Sequence, residues 1–203
     1  MYWKLASLAI FAIFCAWVWY ESHRTVNIAK KREEEFWERE REANSTRRKP
    51  IDHLDYIKLP KDLPYELHTD NDDISACIRT IKELEGENIL NLTGYSNTDL
   101  KLEYGAPNIT ELSRCDQNYT TLVTTFQKWA DELLNLGEEA EAVKLMEFCV
   151  ETKCDVGKTY RLLAKYYLNN GEIDKYNALL TTIDETKSIN KEHIKESLYA
   201  LKI

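Results

Sequence analysis

Four histidines, five cysteines and one acidic run carry the side chains that could do chemistry in this 203-residue chain. The chemistry open to them is metal binding, thiol nucleophilicity or calcium ligation, and their spacing argues against each. The cysteines are Cys15, Cys77, Cys115, Cys149 and Cys154; no two form a C-x-x-C pair, and no histidine stands at zinc-ligand spacing from them. His23, His53, His68 and His193 are scattered, with none beside a candidate nucleophile in a recognisable motif. Asp70, Asp72 and Asp73 in TDNDD suggest a calcium loop, but the required glycine and distal glutamate are missing. Helix capping by Asp72 or Asp73 is the better account of that run. Glycine-rich phosphate loops, G-x-S-x-G and H-E-x-x-H are all absent. The chain therefore reads as no enzyme, with no cofactor and no metal. Cys77 and Cys149 fall on apolar helical stripes as small hydrophobes. A disulfide through Cys115 or Cys154 would require an oxidising compartment. Among the tyrosines, Tyr160 and Tyr167 sit at core spacing, which leaves Tyr166 as the candidate partner-binding residue.

The elements that must position these groups begin with an apolar run. Leu5 to Tyr20 (LASLAIFAIFCAWVWY) holds no charge, no glycine and no proline. Extended back across Lys4 to Tyr2, it has the length of a single membrane span, with Lys4 able to snorkel. Tyr2 and Trp3 at one end and Trp17, Trp19 and Tyr20 at the other match the aromatic belts of the two interfaces. A cleaved signal peptide would need small residues where Trp-Val-Trp-Tyr stands. Arg24, Lys30, Lys31, Arg32, Arg39 and Arg41 follow the span, which predicts that what comes after it stays on the cytoplasmic side. Four N-x-S/T sequons, at Asn44, Asn91, Asn108 and Asn118, pull the other way.

Charge divides the remainder. Residues 1–50 carry ten Lys/Arg and seven Asp/Glu, and residues 51–203 carry seventeen and twenty-eight. So acidic a domain behind a basic collar excludes phosphate-driven nucleic-acid binding. Residues 21–49 predict a charged helix, with Lys30/Glu34, Lys31/Glu35 and Glu35/Arg39 four apart and Phe36 and Trp37 as its large apolar residues. Three of the four prolines fall between Pro50 and Pro64, so residues 50–71 read as an extended linker or a strap laid over the domain. Residues 72–203 read as an all-α domain. Ile74, Cys77, Ile78, Ile81 and Leu84 form the stripe of its first helix, and Gly94 and Gly105 bracket a short one. Asn108 with Glu111 suggests a capping box. A last helix at 190–201 carries Ile194, Leu198 and Leu201 as an apolar cap.

Sliding the chain by thirty-four residues aligns Phe126 with Tyr160, Trp129 with Leu163, Ala130 with Ala164 and Leu133 with Tyr167. The same shift aligns Gly137 with Gly171 and Glu138 with Glu172. Ala142 supplies a small residue where the second helix returns, whereas Tyr176 stands at the matching place in the second unit. The pattern resembles the tetratricopeptide repeat family, with units at about 119–152 and 153–186. The resemblance implies stacked helical hairpins whose concave surface binds a protein or peptide partner. On it, Trp129, Ala130, Gly137, Ala142, Leu163, Ala164, Tyr167 and Gly171 are the repeat signature. The functional expectation is a membrane-tethered scaffold with the lipid bilayer and a protein or peptide as partners. A sensor of opposite topology and an enzyme with an unfamiliar site are the alternatives.

Overall fold

The computed structural model describes residues 2–202; the side chains of Tyr2 and of residues 4–10 lie outside the described set. Among the described residues the protein is all-helical, with eight α-helices and no strand. It divides into two units: Met1–Lys49 with Asn97–Pro107, and Pro50–Ser96 with Asn108–Ile203.

The first unit is built on α1 (Tyr2–Ser45), one unbroken helix of 44 residues. Its apolar residues from Phe11 to Tyr20 are exposed, Trp17 at 60%. Among the described residues no helix is long and apolar enough to cross a membrane. Much of the expected span at 2–20 lies in side chains outside the described set, Tyr2 among them. Of the expected charge pairs, Lys31–Glu35 closes at 3.8 Å. Phe36 and Trp37 meet edge to face, both exposed.

Helix α3 (Asn97–Tyr104) packs on the far end of α1 and buries a single aliphatic side chain, Leu100. Polar contacts hold the rest: Arg39 to Asp99 at 2.6 Å, Thr98 to Glu40 at 2.7 Å, and Lys101 to both Glu40 and Asn44. The backbone closes the seam, with the Ala106 amide donating to the Thr46 carbonyl and the Lys49 amide to Tyr104. Gly105 takes a φ of +95° there, and a Cβ on it would collide with the Arg47 carbonyl oxygen. Residues 97–107 thus group with α1 rather than with the helical domain expected over 72–203.

The second unit begins with α2 (Asp72–Leu84). Its N-cap is Asn71, whose side chain accepts from the Asp73 and Ile74 amides, so the two aspartates occupy the first turn instead of capping it. All five stripe residues from Ile74 to Leu84 are buried, against α4 (Ile109–Asn135). Helix α4 starts about ten residues before the thirty-four-residue unit does, which lets it also bury Leu112 and Cys115. Asn108 stands at its N-cap position, but its side chain makes no capping bond. Then follow α5 (Glu139–Glu151), α6 (Gly157–Asn169), α7 (Ile173–Glu185) and α8 (Lys191–Tyr199). Helix α8 buries Ile194 and Leu198, whereas Leu201 is 40% exposed because the chain has tightened into a 3₁₀ turn by then.

Candidate functional site

The hairpins of the second unit are set by one turn used three times. At the end of α4 the Gly137 amide donates to the Leu134 carbonyl and the Glu138 amide to Leu133; at the end of α6, Gly171 donates to Leu168 and Glu172 to Tyr167. Both glycines have positive φ, +85° and +72°, as this helix stop requires. The end of α5 repeats the pattern, Lys153 donating to Val150 and Cys154 to Cys149, with Lys153 itself at a φ of +59°. Successive second helices start thirty-four residues apart (Glu139, Ile173), and first helices end thirty-four apart (Asn135, Asn169).

Around those turns the signature residues other than the two exposed glycines, Gly137 and Gly171, fall in the interior. Trp129, Ala130, Ala142, Leu163 and Ala164 have no exposed surface, and Tyr167 is buried with its hydroxyl donating to Glu147 at 2.7 Å. Tyr176 is buried too; its hydroxyl donates to the Leu198 carbonyl, which explains a large residue where a small one was expected. Tyr166 is half-buried, edge-on to the Tyr167 ring, and so presents less surface than its sequence position suggests. Trp3, Trp17, Trp19 and Tyr20 are exposed along α1.

Three places on the second unit could receive another molecule. One is an open cavity of about 720 Å³ at the C-terminal ends of α5 and α7, lined by Lys58, Asn91, Tyr95, Glu151, Lys153 and Glu185 among others. Its wall is held by Asn91, whose amide donates to the Thr152 carbonyl at 2.8 Å, the Lys153 carbonyl at 3.1 Å and the Tyr119 hydroxyl at 3.1 Å. Asn91 thereby caps α5 from a distant loop. Gly94 lets the same loop approach the other helix end, since a Cβ there would stand 2.6 Å from the Lys187 carbonyl oxygen. Sequence reading missed Asn91 because a capping side chain sixty residues away leaves no local trace.

The second place is the exposed face of α6, where Lys158, Arg161 and Lys165 lie three and four residues apart on a first helix of the stack. Lys158 reaches α4 at Asp131, 2.6 Å away, and Thr159 donates to Gln127. The third is the strap, residues 57–68. Ile57, Leu59, Leu63, Tyr65 and Leu67 pack against the core, and Tyr65 covers Trp129 at 6.0 Å between ring centroids. The Tyr65 hydroxyl donates to Glu85, and burial together with that carboxylate pushes its pKa up to about 12.

Titration behaviour in the interior favours neutral groups. Burial pushes the Tyr119, Tyr160 and Tyr167 hydroxyls up, and the Cys77 and Cys115 thiols likewise. The Cys149 thiol is raised by its hydrogen bond to Cys154 and then by burial. All five cysteines are free thiols, Cys115 and Cys154 buried. Among the described residues no three His, Cys, Asp or Glu side chains stand together as a metal site.

No protein-family model matches this chain, and neither a curated protein nor a solved structure is detectably similar to it.

Proposed function

We propose that this protein is a membrane-tethered adaptor whose tetratricopeptide-like hairpins hold a protein or peptide partner. The carrying observation is the pair of hairpins repeated at thirty-four residues, stopped by the same turn and stacked side by side through α5 and α6. The first helix of the second hairpin, α6, offers an exposed basic row, Lys158, Arg161 and Lys165, on a unit that is otherwise acidic. The tether is supported by α1. Its apolar residues from Phe11 to Tyr20 face outward on all sides without protein cover, the arrangement a lipid environment would solvate.

A cytoplasmic placement of the domain is favoured by the charge that follows the apolar run, and by Asn91. A glycan on that sequon would use the nitrogen that donates to Thr152, Lys153 and Tyr119, and so would uncap α5. Asn108, another sequon, is fully buried.

The test is a pull-down from membranes with the full chain. Reversing Arg161 and Lys165 to glutamate, with Lys158 kept because it pairs with Asp131, should abolish partner recovery while leaving the melt of the domain unchanged. Undiminished recovery by this double variant sinks the adaptor reading.

A further inference from the structure

Three helices of the second unit stop on the same backbone turn, and that turn decides which two residues face each other across it. Its longer hydrogen bond runs from the amide of the sixth residue to the carbonyl of the first, and a side-chain contact between those two commonly accompanies it. At the end of α4 they are Leu133 and Glu138, at the end of α6 Tyr167 and Glu172, and at the end of α5 Cys149 and Cys154. The α5 stop is also the one of the three without a glycine, since Lys153 holds the left-handed position at a φ of +59°. Its support comes from outside the turn. The Thr152 carbonyl accepts from the Asn91 amide and the Tyr119 hydroxyl, and the Cys154 carbonyl accepts from the Tyr160 hydroxyl.

The two cysteines are thus neighbours by backbone geometry. The Cys154 amide nitrogen stands 3.1 Å from the Cys149 carbonyl oxygen, which holds the two Cα atoms within about 7 Å of each other, the reach of a disulfide. Both side chains are buried, 2% and 1% exposed, in one apolar cluster, and their thiols are hydrogen-bonded to each other. Cys77 on α2 and Cys115 on α4 belong to other helices.

We infer that Cys149 and Cys154 form a reversible intrachain disulfide that staples the α5 stop under oxidising conditions. The oxidant is a small-molecule disulfide of the glutathione type. It is cleaved to two thiols while the two cysteine S–H bonds break and one S–S bond forms, so two electrons and two protons pass to it. With both thiols buried, the exchange proceeds through opening of the α5 end and is slow. The bridge closes residues 149–154 into a ring around the left-handed Lys153, and removes conformations into which this stop could open. Thr152 and Lys153 also line the cleft of about 720 Å³, so the staple fixes one wall of that cleft. It is independent of what the α6 face holds.

The experiment equilibrates the full chain, in detergent, in buffers of reduced or oxidised glutathione. The protein is then quenched in acid, alkylated under denaturing conditions and digested with trypsin. Trypsin cuts between the two cysteines, after Lys153, so the bridge is read directly as Leu145–Lys153 joined to Cys154–Lys158 and two hydrogens lighter than the separate peptides. In the oxidising buffer this linked pair should dominate, with Cys77 and Cys115 alkylated. The melting temperature should rise by about 4–8 °C, and amides of residues 152–154 should exchange at least about tenfold more slowly. Cys154→Ser should show neither change. Both cysteines still alkylated after equilibration, or carrying glutathione in place of the linked pair, overturns the inference. So does a linked pair that leaves the melting temperature unchanged or lowers it, since the bridge would then strain the stop instead of stapling it.

Discussion

Helices α2 and α3 are both short, lie a dozen residues apart in the chain, and are docked by opposite means. Helix α2 meets α4 through five buried apolar side chains, whereas α3 meets α1 through one leucine, a small ionic lattice around Glu40 and a tight backbone crossing at Gly105. The difference is between a seam whose strength scales with the area removed from water and one that depends on geometry at a few atoms. The first tolerates salt and small shifts. The second is specific in register, and any error in it is concentrated in one place.

Shortening a stripe residue is the hardest test of this contrast. Ile81→Ala should cost the second unit about 2–5 kcal/mol in urea unfolding, because it opens a cavity in a fully buried seam. A loss below 1 kcal/mol would remove the basis of the comparison. On the other seam, Gly105→Ala should cost about 2–4 kcal/mol in the opening of α3 measured by hydrogen exchange, from backbone strain and collision together. Gly171→Ala separates those two causes. It has positive φ but open space around a Cβ, so about 1 kcal/mol is expected. The reverse change at the matching turn, Lys153→Gly, should raise the melting free energy by about 0.5 kcal/mol, since a lysine now occupies the left-handed position. Smallest is Glu40→Gln. The Lys101 hydrogen bond holds the Glu40 carboxyl below its usual range, so exchange of α3 amides should quicken and lose its salt dependence, with α2 amides unaffected.

The same contrast explains what could be read from the sequence. A stripe such as Ile74–Leu84 is periodic, and so is the repeated glycine that stops α4 and α6; both are visible without coordinates. The third stop, at Lys153, uses the same backbone bonds but the wrong residue type, and it stayed hidden. Asn91, Lys101 and Gly94 act across about thirty to ninety residues on partners that carry no pattern. The N-cap of α2, Asn71, stands one or two residues before the expected Asp72 or Asp73, because all three are good caps and only the folded backbone selects among them. The prolines make the strap legible as non-helical, but neither its turns over residues 65–70 nor its one apolar side can be read, since residues in irregular backbone have no fixed phase.

Fixed phase is what α1 has throughout. An unbroken helix of 44 residues keeps a constant angular relation between its apolar run and the Arg39–Glu40–Asn44 edge that receives α3. Inserting one residue between Tyr20 and Glu38 would swing that edge by about 100° about the helix axis, whereas inserting seven would swing it by only about 20°. Rotation at one end of the rod is therefore delivered to the other with its direction intact. The azimuth of α3 is written in the length of the stalk.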